Sequence, residues 1–212
     1  GVYVLLTVLV HLSPVQHFLG SQVSSVLADK FDTKVTVGSV NLGFFNRIII
    51  DDVMMYDQKG DSMIYASRIS AKVSLLPLLN QKISIASAQL FGLKANLYQQ
   101  TPQSKHNFQF VLDSLASKDT TKHTPLDLHI GSLIIRHGAV KYDKRYIASK
   151  SGVFSPAHIS ISDLSTHIIA NHITDDAINL HIKKLAFRDK SGLQLNSLSF
   201  KLDANKREAS LK

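Results

Sequence analysis

The stretch Ile182-Lys-Lys-Leu-Ala-Phe187 combines apolar alternation with a change of phase in its middle. Alternation with a period of two predicts a β-strand, because successive side chains of a strand point to opposite faces. The apolar positions change parity around the third residue, which predicts a β-bulge and a bent strand. This stretch therefore predicts a fold built from bent β-strands.

The same order of apolar, any, small or polar, apolar, any and apolar residues recurs along the chain. The first four copies start 48, 45 and 52 residues apart. Irregular repeats near this length predict one supersecondary unit stacked on its neighbours, although chance similarity among Ile-rich strands is the alternative. We expect a mainly β fold, an elongated, curved antiparallel β-groove of repeating hairpins. The copies are Val37–Leu42, Ile85–Leu90, Ile130–Ile135, Ile182–Phe187 and Leu195–Phe200.

Turn residues divide the strands. Asp57-Gln-Lys-Gly-Asp61 predicts a hairpin loop between strands over Arg47–Tyr56 and Ser62–Leu75. Pro77 interrupts an apolar run and predicts a short turn or helix, and the 3–4 spacing in His106–Ser117 predicts a short helix. Five further strands are expected over Leu126–Arg136, Ala139–Ala148, Ala157–Ala170, Asp176–Arg188 and Gly192–Leu202.

The first twelve residues, 1–12, are apolar and uncharged. They are fewer than the roughly 20 residues that cross a bilayer. A signal-peptide core is one interpretation. We favour the C-terminal part of a transmembrane anchor, because no small-residue cleavage site follows, and we expect the chain to be part of a protein that is longer at both ends. The expected anchor residues are Val2, Val4, Leu5, Leu6, Val8, Leu9 and Val10.

Ser13 and Pro14 form a favourable helix start. They open an amphipathic helix over 13–33 that could cap the sheet or lie on a membrane. Capping is favoured, because the polar face lacks the Lys and Arg of interfacial helices. The remaining chain is expected to form a first β-groove unit over 34–117 and continuing, truncated repeats over 118–212.

Composition limits the chemistry of the chain. It contains no cysteine, which excludes disulfides, thiolate nucleophiles and Cys-ligated metals. The net charge of +8 is spread out, without the basic and aromatic cluster of a nucleic-acid interface, so no nucleic-acid partner is expected. The excess charge suits a solvated surface or a face beside anionic lipid.

No catalytic or metal-binding motif is present. Metal ligands must converge, but the histidines most open to such a role fall on separate predicted strands. Of the 16 acidic residues 15 are Asp, and they are expected in turns, where Asp bonds nearby backbone N–H groups. We therefore expect no enzyme activity, metal or cofactor. The histidines are His129, His137, His167, His172 and His181, and the turn acids are Asp51, Asp52, Asp57, Asp61, Asp175 and Asp176.

The expected strands have one aliphatic face and one face of Ser, Lys, His and Asn. The aliphatic face could be ordinary core, or it could line a groove that holds acyl chains. The absence of an amphipathic helix in each repeat favours the groove. The candidate lining residues are Ile83, Ile85, Leu97, Ile159, Ile161, Ile178, Leu180 and Ile182.

Several stretches together resemble the N-terminal region of TamB-like proteins of Bacteroidetes, within the AsmA-like group. The likeness begins with the apolar anchor and the helix ending near Phe31, and weakens after about Lys118. The stretches that carry it are Phe44–Val53, Tyr56-Asp57, Gly60-Asp61, Ile64–Ala66, Leu75–Leu79, Lys82–Ile85, Leu90–Tyr98 and Phe187–Gly192.

The resemblance implies a single-pass inner-membrane protein with a long periplasmic β-structure that opens as a hydrophobic groove. It implies a non-enzymatic role in outer-membrane biogenesis, with phospholipid acyl chains as cargo. The alternative is a scaffold of a translocation and assembly module that aids secretion or insertion of outer-membrane proteins by β-augmentation. The family's partner, an Omp85-type barrel, would be contacted through a C-terminal domain outside these residues.

Overall fold

A computed structural model describes residues 13–43, 47–74, 83–116, 126–127, 131–150, 152–173, 177–205 and 209–211. These residues form two helices and twelve strands in one mixed sheet, so the prediction of a mainly β fold with short helices is confirmed. The helices are α1 (Ser13–Phe31) and α2 (Gln109–Ala116). The strands are β1 (Val35–Thr36), β2 (Ser39–Gly43), β3 (Arg47–Tyr56), β4 (Ser62–Ser74), β5 (Ile83–Phe91), β6 (Lys94–Gln99), β7 (Leu126–Asp127), β8 (Ser132–Lys144), β9 (His158–Ile173), β10 (Ala177–Asp189), β11 (Gln194–Asn205) and β12 (Ala209–Leu211).

Most neighbouring strands are antiparallel, but the centre of the sheet is not. The path runs β1-β3-β4-β5-β8-β9-β10-β11-β12, with β2 beside β3, β6 between β4 and β8, and β7 beside β5. β5 and β6 run parallel to β8. The chain leaves β6, passes through α2 and re-enters the sheet in the same direction, and such a crossover produces parallel pairing. The prediction of a purely antiparallel sheet was therefore wrong at this point.

The repeated pattern marks places where the pairing slips. The register shifts inside the copies that begin at Ile85, Ile182 and Leu195, close to the third residue, which confirms the predicted bulge in these three copies. The copies also pair with one another. Those on β5 and β8 lie parallel and in register, with Ser87 opposite Ser132. Those on β10 and β11 pair antiparallel and end to end, Ile182 opposite Phe200 and Phe187 opposite Leu195.

Four residues with left-handed backbone conformation lie in a line across the sheet. We name this line the crease. It contains Asp52 on β3, Gly92 between β5 and β6, His137 on β8 and Asp163 on β9, with φ of 53, 58, 54 and 53°. Hydrogen bonds tie these points together: the Gly92 N–H donates to the Arg136 carbonyl at 3.0 Å. At the crease the pairing of β8 with β9 shifts register, but both strands continue through it. For this reason β8 is one strand, and the prediction of two strands that break before Ala139 was wrong.

Helix α1 covers the first strands. Val23 and Leu27 of α1 pack on a buried cluster of Val35, Val40, Ile50 and Val53. The end of α1 also contacts α2, where the Ser114 hydroxyl donates to the Lys30 carbonyl at 2.5 Å. Burial of each such aliphatic side chain contributes about 1.5–3 kcal/mol. No helix in the described part of the chain is long and apolar enough to cross a membrane, and the anchor predicted at 1–12 lies outside that part.

Candidate functional site

Two rows of mainly aliphatic residues cross eight neighbouring strands. We name them the aliphatic rows. Residues opposite each other in neighbouring strands project from the same face. At about 4.8 Å between strands, each row extends for about 33 Å. The first contains Leu42, Ile48, Ala71, Ala88, Leu133, Ile168, Ile182 and Phe200. The second contains Val40, Ile50, Ile69, Leu90, Ile135, Thr166, Leu185 and Leu198.

The opposite face between these rows is polar. Here too, residues opposite each other in neighbouring strands form two lines across the sheet. They are mostly the Ser, Lys and His expected on the polar face, with two isoleucines among them. One line contains Ser70, Gln89, Ile134, His167 and Lys184, and the other contains Lys72, Ser87, Ser132, Ile169, His181 and Lys201. The sheet therefore has two chemically distinct sides over β4 to β11, as the alternation in the sequence predicts.

The residues of the aliphatic rows differ in how much of their surface is exposed. Ile50, beneath α1, is buried with 8% of its surface exposed, whereas Leu198 at the other end is 42% exposed. Leu90, Ile135 and Leu185 between them are half-buried. Within the described ranges the extensive helix–strand contacts are those of α1 with β1 and β2. Leu42 on β2 is 53% exposed, whereas Ala88, Thr166 and Ile182 are buried. The rows are thus buried at several points along their length and exposed at Leu42 and Leu198.

Five of the candidate lining residues lie beside or within the aliphatic rows. Leu180 and Ile182 lie on β10, where Leu180 is opposite Ala170 and Leu202. Ile85 on β5 is opposite Val73. Ile83 and Ile178 occupy alternating positions on the same two strands, and only their backbone is described.

The other three candidates lie across the crease. Leu97 and Ile159 are both opposite Tyr142, and Ile161 is opposite Val140. Beside them is an open cavity of about 580 Å³, lined in part by Met54, Met63, Ile64, Ala95, Val140 and Ile161. The candidates therefore form two groups on one sheet, separated by the crease.

Several residues of the rows were missed from sequence. Selection by parity fails across a bulge, because one extra residue exchanges the two faces. Alignment of the repeated copies would have found some of them, since their fourth and sixth positions, Ala88 with Leu133 and Leu90 with Ile135, pair directly. The missed residues include Leu133, Ile135, Ile168, Leu185 and Leu198.

Two hairpin loops share one Asp-based geometry. In Asp57–Asp61 and Asp189–Leu193, the first Asp N–H donates to the last carbonyl at 2.8 Å, and the fourth residue, Gly60 or Gly192, has positive φ. The Asp carboxylate accepts the N–H of the third residue at 2.9 Å in both loops. The predicted turn at Asp57 is confirmed. The loop at Asp189 has the same hydrogen bonds, so both carboxylates have a structural role in their turns.

Hydrogen bonds set the pKa of both carboxylates. Burial raises the pKa of Asp57, but donors from the Asp61 N–H, the Tyr98 hydroxyl and the Lys59 N–H outweigh it, so the pKa lies below its ordinary value. Burial likewise raises the pKa of Asp189, and hydrogen bonds from Ser191 and from the N–H groups of Ser160 and Lys190 bring it below the ordinary value. Both side chains are therefore charged and fully used as acceptors.

Asp51 and Asp52 lie within β3 at the crease, so their assignment to a turn was wrong. The Asp51 carboxylate accepts from Arg68 Nε at 2.6 Å, and that hydrogen bond raises the pKa of Arg68. Asp52 accepts from the Tyr65 hydroxyl at 2.6 Å, which raises the pKa of Tyr65. These acids hold neighbouring strands together across the polar side of the crease. Asp175 and Asp176 lie outside the described residues.

The histidines do not converge where the structure describes them. His137 lies in the crease, and His167 Nε2 is 3.4 Å from the Ser132 hydroxyl. Among the described residues no three His, Asp or Glu side chains come together as metal ligands. His129 and the side chain of His172 lie outside the description.

Comparison with known proteins adds no family. No protein-family model matches the chain, and a search of the curated proteins finds no match. The likeness to TamB-like proteins therefore stays a prediction from sequence, and functional interpretation rests on the geometry of the sheet.

Proposed function

We propose that this chain is part of a non-enzymatic protein that is anchored in the bacterial inner membrane and carries phospholipids towards the outer membrane. The aliphatic rows are the observation that carries this proposal. They join eight strands on one face; among the described residues α1 packs on them at the first strands, and Leu198 on β11 is 42% exposed. The register shifts support it, because bulges bend strands and a bent sheet forms a groove.

The energetics favour such a path. Transfer of one methylene from water to an apolar surface contributes about 0.8 kcal/mol, so an acyl chain gains much by lying on aliphatic residues. The phosphate head group stays in water beside the groove. In this proposal lipid moves down its own chemical potential or is driven by another machine, and the inner membrane and an Omp85-type barrel are the partners.

Lipid analysis of the purified protein tests the proposal. Mass spectrometry should detect co-purified phospholipid, and Ile135→Thr, Leu185→Thr and Leu198→Thr combined should lower its amount by about tenfold or more, since a loss of 1.4 kcal/mol in binding corresponds to a factor of ten. Ile134→Thr is the matched control, because Ile134 lies on the opposite face of β8 and pairs with His167. Folded wild-type protein free of lipid, or equal losses in the control, would contradict the proposal.

The edge of the sheet favours a second candidate, a scaffold for protein assembly. β12 pairs only with Leu202–Ala204 of β11, so within the described residues the outer edge of Gln194–Lys201 has no partner strand. Exposed edges pair with extended segments of other chains. A photo-crosslinker at Leu180, on the aliphatic face, distinguishes the two: lipid adducts support transport, and client proteins without lipid support the scaffold.

A further inference from the structure

We propose that the loop between β8 and β9, with the basic pocket beneath it, forms a docking site for the surface of an anionic lipid membrane. The loop supplies exposed apolar side chains, and the pocket accepts a phosphate group. This site lies on the far side of the crease from the aliphatic rows, and the proposal does not rest on lipid transport.

The pocket is lined by more positively charged side chains than negatively charged ones. It has a volume of about 540 Å³ and lies among β6, β8, β9 and the β10–β11 turn. Its walls include four cations, Lys141, Arg145, Lys150 and Lys190, and two carboxylates, Asp143 and Asp189. None of the ion pairs in the described part of the chain uses any of these four cations. Clustered Lys and Arg with free charge favour a phosphate group.

Both carboxylates of the pocket already have partners. Asp143 accepts from His158 Nδ1 at 2.6 Å. Asp189 accepts the N–H groups of Ser160 and Ser191, each at 2.9 Å. The Ser191 side chain also bonds to Asp189, so the Asp189 carboxylate is held by its own turn. The pocket therefore offers its four cations to an incoming anion, because its two carboxylates are already bonded within the protein.

The loop has the composition of a membrane-contacting segment. From residue 144 to residue 162 the chain has three cations and no acid. Four large side chains of the loop are partly exposed to solvent, and exposed apolar patches mark contact sites. Apolar and aromatic residues among Lys and Arg are typical of segments that bind anionic lipid interfaces. The four are Tyr146, Ile147, Val153 and Phe154, with 38, 42, 62 and 42% of their surface exposed.

The base of the loop is held in place before any contact. The Arg145 guanidinium lies 3.7 Å from the centre of the Tyr98 ring, and the Arg145 N–H donates to the Gln99 carbonyl at 3.1 Å. The Tyr146 hydroxyl donates to Gln99 Oε1 at 2.9 Å. A fixed base lowers the ordering cost of docking. The cations and apolar side chains together favour a lipid surface over a purely polar anionic partner.

Vesicle sedimentation tests the site. The protein should bind vesicles of phosphatidylcholine with phosphatidylglycerol and should bind phosphatidylcholine alone much more weakly. Lys150→Glu with Lys190→Glu should weaken binding by about tenfold or more, because each cation near an anionic surface contributes to attraction. Val153→Ser with Phe154→Ser should weaken it while leaving the charge unchanged.

Matched controls lie elsewhere on the molecule. Lys183→Glu with Lys201→Glu changes two exposed lysines on the sheet, and Leu112→Ser with Leu115→Ser changes two exposed apolar residues of α2. Both should bind as wild type. Equal binding to both vesicle types, or control losses equal to those of the site variants, would overturn the proposal.

Two further measurements distinguish membrane docking from the binding of small anions and from lipid transport. Full displacement from vesicles by inorganic phosphate would assign the pocket to small anions and reject membrane docking. The variant carrying Ile135→Thr, Leu185→Thr and Leu198→Thr should still dock on vesicles, whereas the Lys150 and Lys190 variant should keep its co-purified lipid. Failure of lipid transport and failure of docking are therefore distinguishable.

Discussion

The buried carboxylate of Asp57 connects two parts of the chain. It accepts the N–H groups of Lys59 and Asp61 in its own loop and the Tyr98 hydroxyl from β6. Because its pKa is lowered in the folded state, it contributes stability that is fully present above its unfolded pKa. That contribution is lost as the pH falls through the lower, folded pKa.

We expect Asp57→Asn to lower the free energy of unfolding by about 1–2 kcal/mol at neutral pH, since hydrogen bonds to a charged group are stronger than those to a neutral amide. Urea unfolding over a series of pH values measures this. The difference from wild type should shrink as the pH drops below the ordinary carboxyl range. The exposed Asp61 side chain provides the control, because Asp61→Asn should change stability by less than about 0.5 kcal/mol. A difference that persists in acid would contradict the assigned role.

At the scale of single residues, the sequence predicts the residues of a tight turn, but it does not predict which side chains from other strands contact them. The Gly and Asp of the hairpin at Asp57 follow from the backbone that a tight turn needs, so the sequence predicts them. Asp51 and Asp52 are of a residue type that is typical of turns, but they lie inside a strand. Their roles depend on Arg68 and Tyr65 across the sheet, and no local rule supplies those partners.

Among the elements, the crease depends on a glycine that connects β5 to β6. Gly92 has a φ of 58°, and a Cβ placed there would lie 2.5 Å from the Ser67 hydroxyl oxygen. We expect Gly92→Ala to destabilise the protein by about 1–3 kcal/mol, through backbone strain and this clash. Thermal unfolding followed by circular dichroism measures the loss.

Two comparisons separate the clash from the strain. Gly60→Ala also has a positive φ, but nothing lies within 4 Å of the new Cβ, so it should cost less than Gly92→Ala. In a Ser67→Ala background the cost of Gly92→Ala should fall, since the hydroxyl oxygen is gone. Equal costs in both backgrounds would show that the close approach of these strands is unimportant.

Elements were largely predictable from sequence, but their pairing was not. Periodicity predicts both helices and most strands within a few residues, and the repeated copies predict where the register slips. The parallel entry of β8 beside β5 and β6 was unpredictable, because alternation is identical in parallel and antiparallel strands. Several residues of the aliphatic rows were missed because a row depends on the register between strands, and a bulge exchanges the two faces of a strand.

Across the whole molecule, the sheet separates three surfaces. The aliphatic rows occupy one face, the Lys, Ser and His lines occupy the other, and the basic pocket with its apolar loop lies beyond the crease. A lipid carrier needs an apolar path, a solvated exterior and a place to meet a membrane. The proposed roles therefore fall on separate surfaces, so substitutions on one surface test its proposed role independently of the others.

Continuity of the aliphatic rows is a property of the whole sheet, and the absence of cysteine allows it to be probed at single positions. We expect an environment-sensitive fluorophore on Leu90→Cys, Leu185→Cys or Leu198→Cys to shift to shorter wavelength when phospholipid is added, because acyl chains exclude water along the row. The same probe on Gln89→Cys or Lys184→Cys, on the opposite face, should not shift. A response at Leu198 alone would indicate a local apolar patch at β11, and equal responses on both faces would indicate non-specific adsorption. A response at all three row positions, with none on the polar face, is expected of a path that extends from β5 to β11.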